Sequence, residues 1–188
     1  MIDNQDRSGY IGASDTSYVV GNWKTKSFQK WWLTKLGLTE NSFTNSAMLA
    51  GTNYEHAIAD SLGLEGEKDG QVIIDDLRLR VNYDFETKDT IYEIKTYNAN
   101  KGFKVSKQYY RQAQVEMFAR NWEKKLVIVA YGLNEDDYFN YFHDIDKKRL
   151  SMHPVKPDKK FIENEYLPKL NILKDFLIRG AIPYGTKI

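Results

Sequence analysis

Apolar residues recur at the spacing of an α-helix in four segments of the chain. In the first segment, Phe28, Trp31 and Leu36 fall on one face, as expected of a helix that packs on a core. The pattern predicts helices over residues 25–36, 45–62, 106–122 and 159–179. Shorter stretches either alternate polar and β-favouring residues or are continuously apolar. They predict strands over residues 71–74, 77–83, 91–96, 125–133 and 138–145.

The order of these elements favours an α/β (α+β) fold in a single domain that covers residues 1–188. The run at 125–133 is apolar throughout, which is typical of a central strand. The helix at 106–122 is apolar on two sides, so it should pack between the sheet and a further layer. We therefore expect a central mixed β-sheet flanked by helices on both faces, with the strand at 91–96 in its middle.

Composition limits the classes of protein that fit this pattern. Of the 188 residues, 41% are hydrophobic, which is typical of a globular chain long enough for one core. Since there are no cysteines, disulfides and thiolate metal sites are excluded, and a reducing, cytoplasmic setting is expected. No apolar run is long enough to span a bilayer, so no membrane partner is expected. A net charge of +1 leaves a nucleic-acid partner open, and any DNA contact must depend on local clusters of Lys and Arg.

Candidate chemistry concentrates on two adjacent predicted strands. Glu93 and Lys95 are two residues apart on one strand, so both point to the same face, and Asp84 at the end of the preceding strand can lie opposite them. Carboxylates held side by side in this way repel each other unless a cation lies between them. Together with the Ile94 carbonyl they would form a hard oxygen site suited to Mg²⁺ or Mn²⁺. The alternative is a surface hairpin that carries an ordinary ion pair.

Two further polar side chains are expected to reach the same cleft. Glu55 shares a helical face with Thr52 and Ala59, and Gln112 lies within the helix that follows the motif strand. If the motif strand is central, these two helices cover it from either side, and both side chains can approach Asp84. The alternatives are a Glu55 carboxylate that reaches water and a Gln112 amide that bonds to backbone.

Two regions are candidates for binding phosphate. Ser14 can cap a short helix, and Arg7 lies just before it, so together they could form a pocket for a terminal phosphate. The alternative is simple helix capping with a solvated Arg7. Downstream of the motif strand, four cations are candidates for sequence-independent contacts with DNA backbone phosphates: Lys101, Lys104, Lys107 and Arg111.

The spacing Asp84…Glu93-Ile94-Lys95 resembles the signature of the PD-(D/E)xK, or restriction-endonuclease-like, nuclease superfamily. The wider arrangement is similar to the lambda-exonuclease-like branch, the phage recombination exonucleases. Three further motifs of that branch have counterparts here: Ile11-Gly-Ala-Ser14-Asp15, Gly51-x3-Glu55 and Tyr110-x-Gln112-x-Gln114. The resemblance implies a restriction-endonuclease-like core.

The resemblance also implies roles for individual residues. Asp84, Glu93 and the Ile94 carbonyl would bind one Mg²⁺, and Asp84 and Glu55 would face a second, with Mn²⁺ as a substitute. Lys95 and Gln112 would position the nucleophilic water. Arg7 and Ser14 would grip the 5′-phosphate of the digested strand.

The activity implied is that of a Mg²⁺-dependent deoxyribonuclease, a 5′-to-3′ exonuclease that acts on the ends of linear double-stranded DNA in phage-type recombination. The resemblance further implies a homotrimer, a single-strand-annealing protein partner, and the cytoplasm of a phage-infected or prophage-bearing bacterial cell. Two alternatives stay open. One is a structure-specific or nicking endonuclease with the same metal centre, and the other is a catalytically inactive DNA- or protein-binding module on the same fold.

Overall fold

The computed structural model describes residues 8–39, 45–142 and 144–183. Arg7 lies outside these residues, so its predicted contact with a 5′-phosphate stays a prediction. None of the described helices has the length and apolar character needed to cross a bilayer.

The centre of the fold is a five-stranded mixed sheet whose strands lie side by side in chain order. The strands are β1 (Glu67–Ile74), β2 (Leu79–Glu86), β3 (Thr90–Asn98), β4 (Lys125–Leu133) and β5 (Leu150–Val155). Strands β3 and β4 are parallel, and the other neighbours are antiparallel. A parallel pair needs a crossover connection, which here contains a helix. The motif strand β3 is in the middle of the sheet, as predicted.

Side-chain caps fix the start of the longer helices that flank the sheet, except the C-terminal one. They are α1 (Thr16–Val19), α2 (Lys26–Lys35), α3 (Ser46–Ser61), α4 (Lys107–Ala119), α5 (Lys159–Phe161) and α6 (Leu167–Ile178). The side chains of Thr25, Asn45 and Ser106 each accept a hydrogen bond from the N–H three residues ahead, which fixes the first turns of α2, α3 and α4. A π-helical turn separates α5 from α6, and Pro168 lies in the first turn of α6, where a missing N–H is tolerated.

Helices cover both faces of the sheet and form two separate apolar layers. On one face, α4 packs against β2 and β4, and α2 and α6 contribute to the same apolar cluster, which includes Trp32, Val115, Leu170, Ile91 and Ile128. On the other face, α3 packs against the same strands through Tyr54, Ile58, Ile94, Val129 and Tyr131. The predicted fold class, an α+β chain with a central mixed sheet between helices, is confirmed.

Two local predictions are wrong. Within the segment predicted as a strand at 138–145, the described residues 139–142 and 144–145 form no strand. They follow the 3₁₀ turn Asp136–Tyr138, and Phe139 and Phe142 are almost fully exposed. The fifth strand is instead β5, which contains Pro154. Proline lacks an N–H, and β5 tolerates it because it pairs with β4 alone, at the edge of the sheet.

The second error concerns the buried face of α3. The sequence pattern places Met48, Thr52, Ala59 and Leu62 on this face. Ala59 is buried as expected, but Met48 is 48% exposed, and the other buried residues of α3 are Ala50, Tyr54 and Ile58. Tyr54 determines the orientation because its hydroxyl donates to the Asn140 carbonyl at 2.7 Å. Glu55 therefore lies at the flank of the buried face, where it is half-buried.

Candidate metal and catalytic centre

The candidate centre lies where β2 and β3 separate. The two strands pair only at Phe85–Tyr92 and Glu86–Ile91. One step further along, the Ile94 N–H donates to Oδ2 of the Asp84 side chain at 2.6 Å. The carboxylate thus occupies the gap between the strands, and the backbone of β3 holds it in place.

Glu93 and Lys95 project from β3 towards α4, as their spacing predicts. Lys95 Nζ donates to Glu93 Oε1, and Gln112 Nε2 on α4 donates to the same oxygen at 2.6 Å. Lys95 Nζ also lies 5.4 Å from the ring centroid of Tyr109, in the first turn of α4. The structure therefore brings Glu93, Lys95 and Gln112 into direct contact.

Glu55 approaches this cluster from α3, on the opposite face of the sheet. A Cβ at Gly51 would lie 3.4 Å from Thr96 Oγ1, so α3 passes close to β3 one turn before Glu55. Burial raises the pKa of the Glu55 carboxyl, and the negative charges of Glu93 and Asp69 raise it further. Glu55 in turn contributes to raising the pKa of Asp84. The predicted acidic set of Glu55, Asp84 and Glu93 is thus electrostatically coupled.

A His–Asp pair beside Glu55 was not anticipated. His56 Nε2 lies 2.9 Å from Asp69 Oδ2, and oxygen or nitrogen atoms of Glu55, His56 and Asp69 lie within 4.8 Å of one another. These three residues have the ligand types of a cation site. The flanking residues Lys68 and Gly70 pair with Phe85 and Tyr83, which brings Asp69 to the level of Asp84, and that position cannot be found without knowing how the two strands pair.

A second residue that the sequence analysis missed is Glu116. It lies one turn after Gln112 on α4, it is fully buried, and its Oε1 accepts from Gln112 Nε2 at 2.8 Å. Its Oε2 has no hydrogen-bond partner among the described residues. Burial raises the pKa of the Glu116 carboxyl well above its usual value, and Glu93 raises it further. The four-residue spacing from Gln112 was the available signal, since it places both side chains on one helical face.

The balance of charge in this cluster favours a bound cation. Among the described residues, Glu55, Asp84, Glu93 and Glu116 are coupled to a single ammonium group, that of Lys95. Burial alone would lower the pKa of Lys95, but Glu93 and Asp84 outweigh it and the net shift is upward. Burial and Glu93 also raise the pKa of Asp84 well above its usual value. Hard divalent cations match such a set of carboxylate and carbonyl oxygens, so these residues fit Mg²⁺ or Mn²⁺.

Ser14, predicted to bind a phosphate, is exposed in the 3₁₀ turn Ala13–Asp15. It lines a polar cavity of about 380 Å³ between that turn, the start of α2 and the first turn of α4, where Gln108 contributes. Asp15 has a structural role, because its Oδ2 accepts from the Gly12 N–H at 2.8 Å and pairs with Lys35 at 2.7 Å. The cavity provides space for an anion beside Ser14, and the phosphate contact stays a prediction.

The four predicted DNA-backbone cations differ in their surroundings. Lys101, Lys104 and Lys107 are exposed along the segment that joins β3 to α4. Arg111 is half-buried, with its guanidinium 3.5 Å from Glu165 and 5.5 Å from the ring centroid of Phe161. The lysines are therefore free to meet a polyanion, whereas Arg111 also holds α4 against the C-terminal helices. Contact with DNA stays a prediction for all four.

Solved structures share this arrangement of sheet and helices. An alkaline exonuclease from Laribacter hongkongensis superposes with a TM-score of 0.68 at 22% identity, over 92% of this chain and 90% of that one. The chain has the fold of an alkaline exonuclease. A phage-related exonuclease from Haemophilus somnus shares the exonuclease fold with a TM-score of 0.56 at 18% identity, over 90% of this chain and 95% of that one. No family model and no curated protein matches the sequence.

Both structures support the resemblance to phage recombination exonucleases at the level of the fold. Each comparison covers nine-tenths or more of the present chain, so the likeness extends over most of the fold. The exonuclease fold thus accounts for the architecture, while the function of the acidic cluster has to be argued from its geometry.

Proposed function

We propose that this chain is a Mg²⁺-dependent deoxyribonuclease that degrades linear double-stranded DNA from 5′ ends. The observation that carries the proposal is the convergence of Asp84, Glu93 and Lys95 at the opening between β2 and β3, with Gln112 in contact with Glu93. Two exonucleases with the same fold support it. The overall reaction is the hydrolysis of a phosphodiester bond.

The contacts of each residue in the centre suggest its role in the proposed reaction. Asp84, Glu93 and the Ile94 carbonyl would hold one divalent cation, and Asp84 with Glu55 would hold a second. When bound, such ions supply Lewis-acid stabilisation of the charge on the phosphodiester and can be Mg²⁺ or Mn²⁺. Lys95 stays protonated beside Glu93, so we assign it to stabilising the developing negative charge. Gln112 orients the attacking water.

The choice of a DNA end depends on the region around Ser14. The polar cavity beside it would receive the 5′-phosphate, with Arg7 as its cationic partner. The exposed Lys101, Lys104 and Lys107, together with Arg111, would contact backbone phosphates without regard to sequence. Binding should therefore weaken steeply as the salt concentration rises.

We further propose a homotrimer that encloses the duplex, and a single-strand-annealing protein that receives the strand left behind. Both follow from the likeness to phage recombination exonucleases. A host-cell cytoplasm that contains phage or prophage DNA is the proposed setting.

Digestion of matched DNA substrates tests the proposal. Linear duplexes with and without 5′-phosphates are incubated beside closed circles, with Mg²⁺ or with EDTA, and Glu93→Ala is the inactive control. We expect Mg²⁺-dependent shortening of the 5′-phosphorylated linear duplex and intact circles. Cutting of circles would instead indicate an endonuclease. If no DNA is cleaved with Mg²⁺ or Mn²⁺, a non-catalytic binding module is the better account.

A further inference from the structure

A buried carboxyl group that the proposed reaction does not use lies directly behind Gln112. Glu116 on α4 is fully buried, and it is not one of the proposed cation ligands. A buried acid usually has a cation or several hydrogen-bond donors around it, because desolvation is costly. The side chain of Glu116 has a single donor among the described residues, the Gln112 amide.

The nearby cations have other partners. Lys95 Nζ donates to Glu93, and Arg120, one turn further along α4, donates to Glu86 through Nε at 3.1 Å. The Tyr83 hydroxyl reaches only the backbone carbonyl of Glu116, at 3.1 Å. The hydrogen bond that links the Glu116 carboxyl to the centre therefore comes from Gln112.

The contacts of Gln112 fix which way its amide faces. Its Nε2 carries two hydrogens, and both are engaged, one by Glu93 Oε1 at 2.6 Å and one by Glu116 Oε1 at 2.8 Å. The nitrogen is thus held between two carboxyl groups, and Oε1 of Gln112 must point away from both. Because Gln112 keeps 8% of its surface accessible, this oxygen can serve the cleft as an acceptor.

We propose that Glu116 is a positioning residue that holds the Gln112 amide with its nitrogen on Glu93 and its oxygen free to accept a hydrogen bond from the attacking water. The inference rests on the proposed nuclease function. Without the acceptor on Glu116, Nε2 would keep one unsatisfied hydrogen and the amide could rotate about its last torsion, which would turn the nitrogen towards the water.

Kinetics of four variants test this role. Glu116→Met removes the acceptor while keeping a long side chain, Glu116→Gln keeps an acceptor, Gln112→Ala removes the amide, and Glu123→Met removes an exposed carboxylate just beyond α4. We expect Glu116→Met to lower kcat by about 10- to 100-fold, as for other residues that orient a reacting group, with KM for DNA nearly unchanged. Glu116→Gln should recover most of the loss, and Glu123→Met should behave as the parent.

Coupling between the two positions is the more stringent measurement. If Glu116 acts only through Gln112, the Gln112→Ala/Glu116→Met double variant should be no slower than Gln112→Ala. Multiplying effects would overturn the proposal, as would a normal kcat in Glu116→Met or a Glu116→Gln variant as slow as Glu116→Met.

A measurement without turnover separates this inference from the proposed function. In the NMR spectrum of the unaltered protein, the Gln112 side-chain amide, identified by its loss in Gln112→Ala, should show two protons that exchange slowly with water. Glu116→Gln should preserve this protection. Fast exchange of both protons in the parent would overturn the proposal even if the protein cleaves DNA. Protected protons in a protein that cleaves no DNA would leave the amide orientation standing and refute the nuclease function.

Discussion

The buried Glu86 and the partly buried Asp84 lie two residues apart on β2, and their surroundings have opposite charge balances. At Glu86, one carboxylate that is 3% exposed meets two cations, Arg120 through Nε at 3.1 Å and Lys124 through Nζ at 2.8 Å. Lys124 also donates to the Thr87 carbonyl at 2.7 Å, which ties the pair to the β2–β3 turn. This site is complete without any further ion.

At Asp84 the ratio of carboxylates to cations is reversed. The carboxyl groups of Glu55, Glu93 and Glu116 lie around it, with Lys95 as the ammonium partner among the described residues. The comparison shows that burial of an acid does not by itself mark a functional site. An excess of carboxylates over cations distinguishes the Asp84 site, because the excess has to be neutralised by protons or by bound ions.

The largest expected effect is on the rate of DNA cleavage, when the Glu93 carboxylate of the acidic cluster is neutralised. Glu93→Gln should reduce the rate of DNA cleavage by about 10³-fold because it replaces an anionic cation ligand with a neutral amide and removes the negative charge beside Lys95. It should leave the melting temperature unchanged or higher, since one repulsive charge is lost. Cleavage assays and calorimetric unfolding of the same preparations measure both quantities.

Glu86→Gln should show the converse behaviour. It leaves Arg120 and Lys124 without their carboxylate, and removing one partner of a buried ion pair costs about 3–5 kcal/mol of stability. The cleavage rate per folded molecule should stay near that of the parent. If Glu86→Gln abolished cleavage in a folded protein, the two sites would not be functionally distinct.

Cation binding should stabilise the folded protein through the Asp84 site and not through the Glu86 site. With Mg²⁺ at about 100 times its dissociation constant, the free energy of unfolding should rise by about 2.7 kcal/mol. Glu86→Gln should retain this increase and Glu93→Gln should lose it. Thermal unfolding with Mg²⁺ and with EDTA provides the measurement, and an equal Mg²⁺ response in both variants would contradict the comparison.

The smallest effect concerns Glu116 in the absence of divalent ions. Its pKa is raised in the folded protein, mainly by burial. Below the unfolded-state pKa of about 4.3, both states are protonated and the native residue carries no penalty. As pH rises above that value, the unfolded chain ionises first, so stability is lost until the folded pKa is passed.

Glu116→Gln does not titrate and should therefore gain stability over the parent as pH rises from 4 to 8. Each kcal/mol of gain would raise the melting temperature by about 2–4 °C for a chain of this size. Melting curves across this pH range in EDTA give the difference. A difference independent of pH would mean that Glu116 is ionised in the folded protein.

The central part of the site could be predicted because its geometry is local. Glu93 and Lys95 share a strand face by their spacing alone, and Gln112 follows from a capped helix that must cross that strand. Placing Glu55 beside Asp84 required the correct packing of α3. That packing was correct, although the predicted buried face was not.

The other parts of the site and the fold could not be predicted, because they depend on contacts between segments that are distant in sequence. Asp69 meets His56 only because β1 pairs with β2 in one register, and that register is not encoded by a local pattern. Glu116 was overlooked because the residues around it in α4 are apolar, and only the partnership with Gln112 explains its burial. The alternation of aromatic and polar residues near Phe139 is typical of a strand, but the edge strand of the sheet is β5, which comes later in the chain.

Direct location of a cation tests the central claim. Crystals of the protein soaked in MnCl₂ should give an anomalous difference peak bounded by the carboxylates of Asp84 and Glu93 and the Ile94 carbonyl, and Glu93→Gln crystals should lack it. A Glu86→Gln crystal should keep the peak. If Mn²⁺ bound elsewhere, or left this opening empty while the same preparation cleaved DNA, the account of the acidic cluster given above would be contradicted.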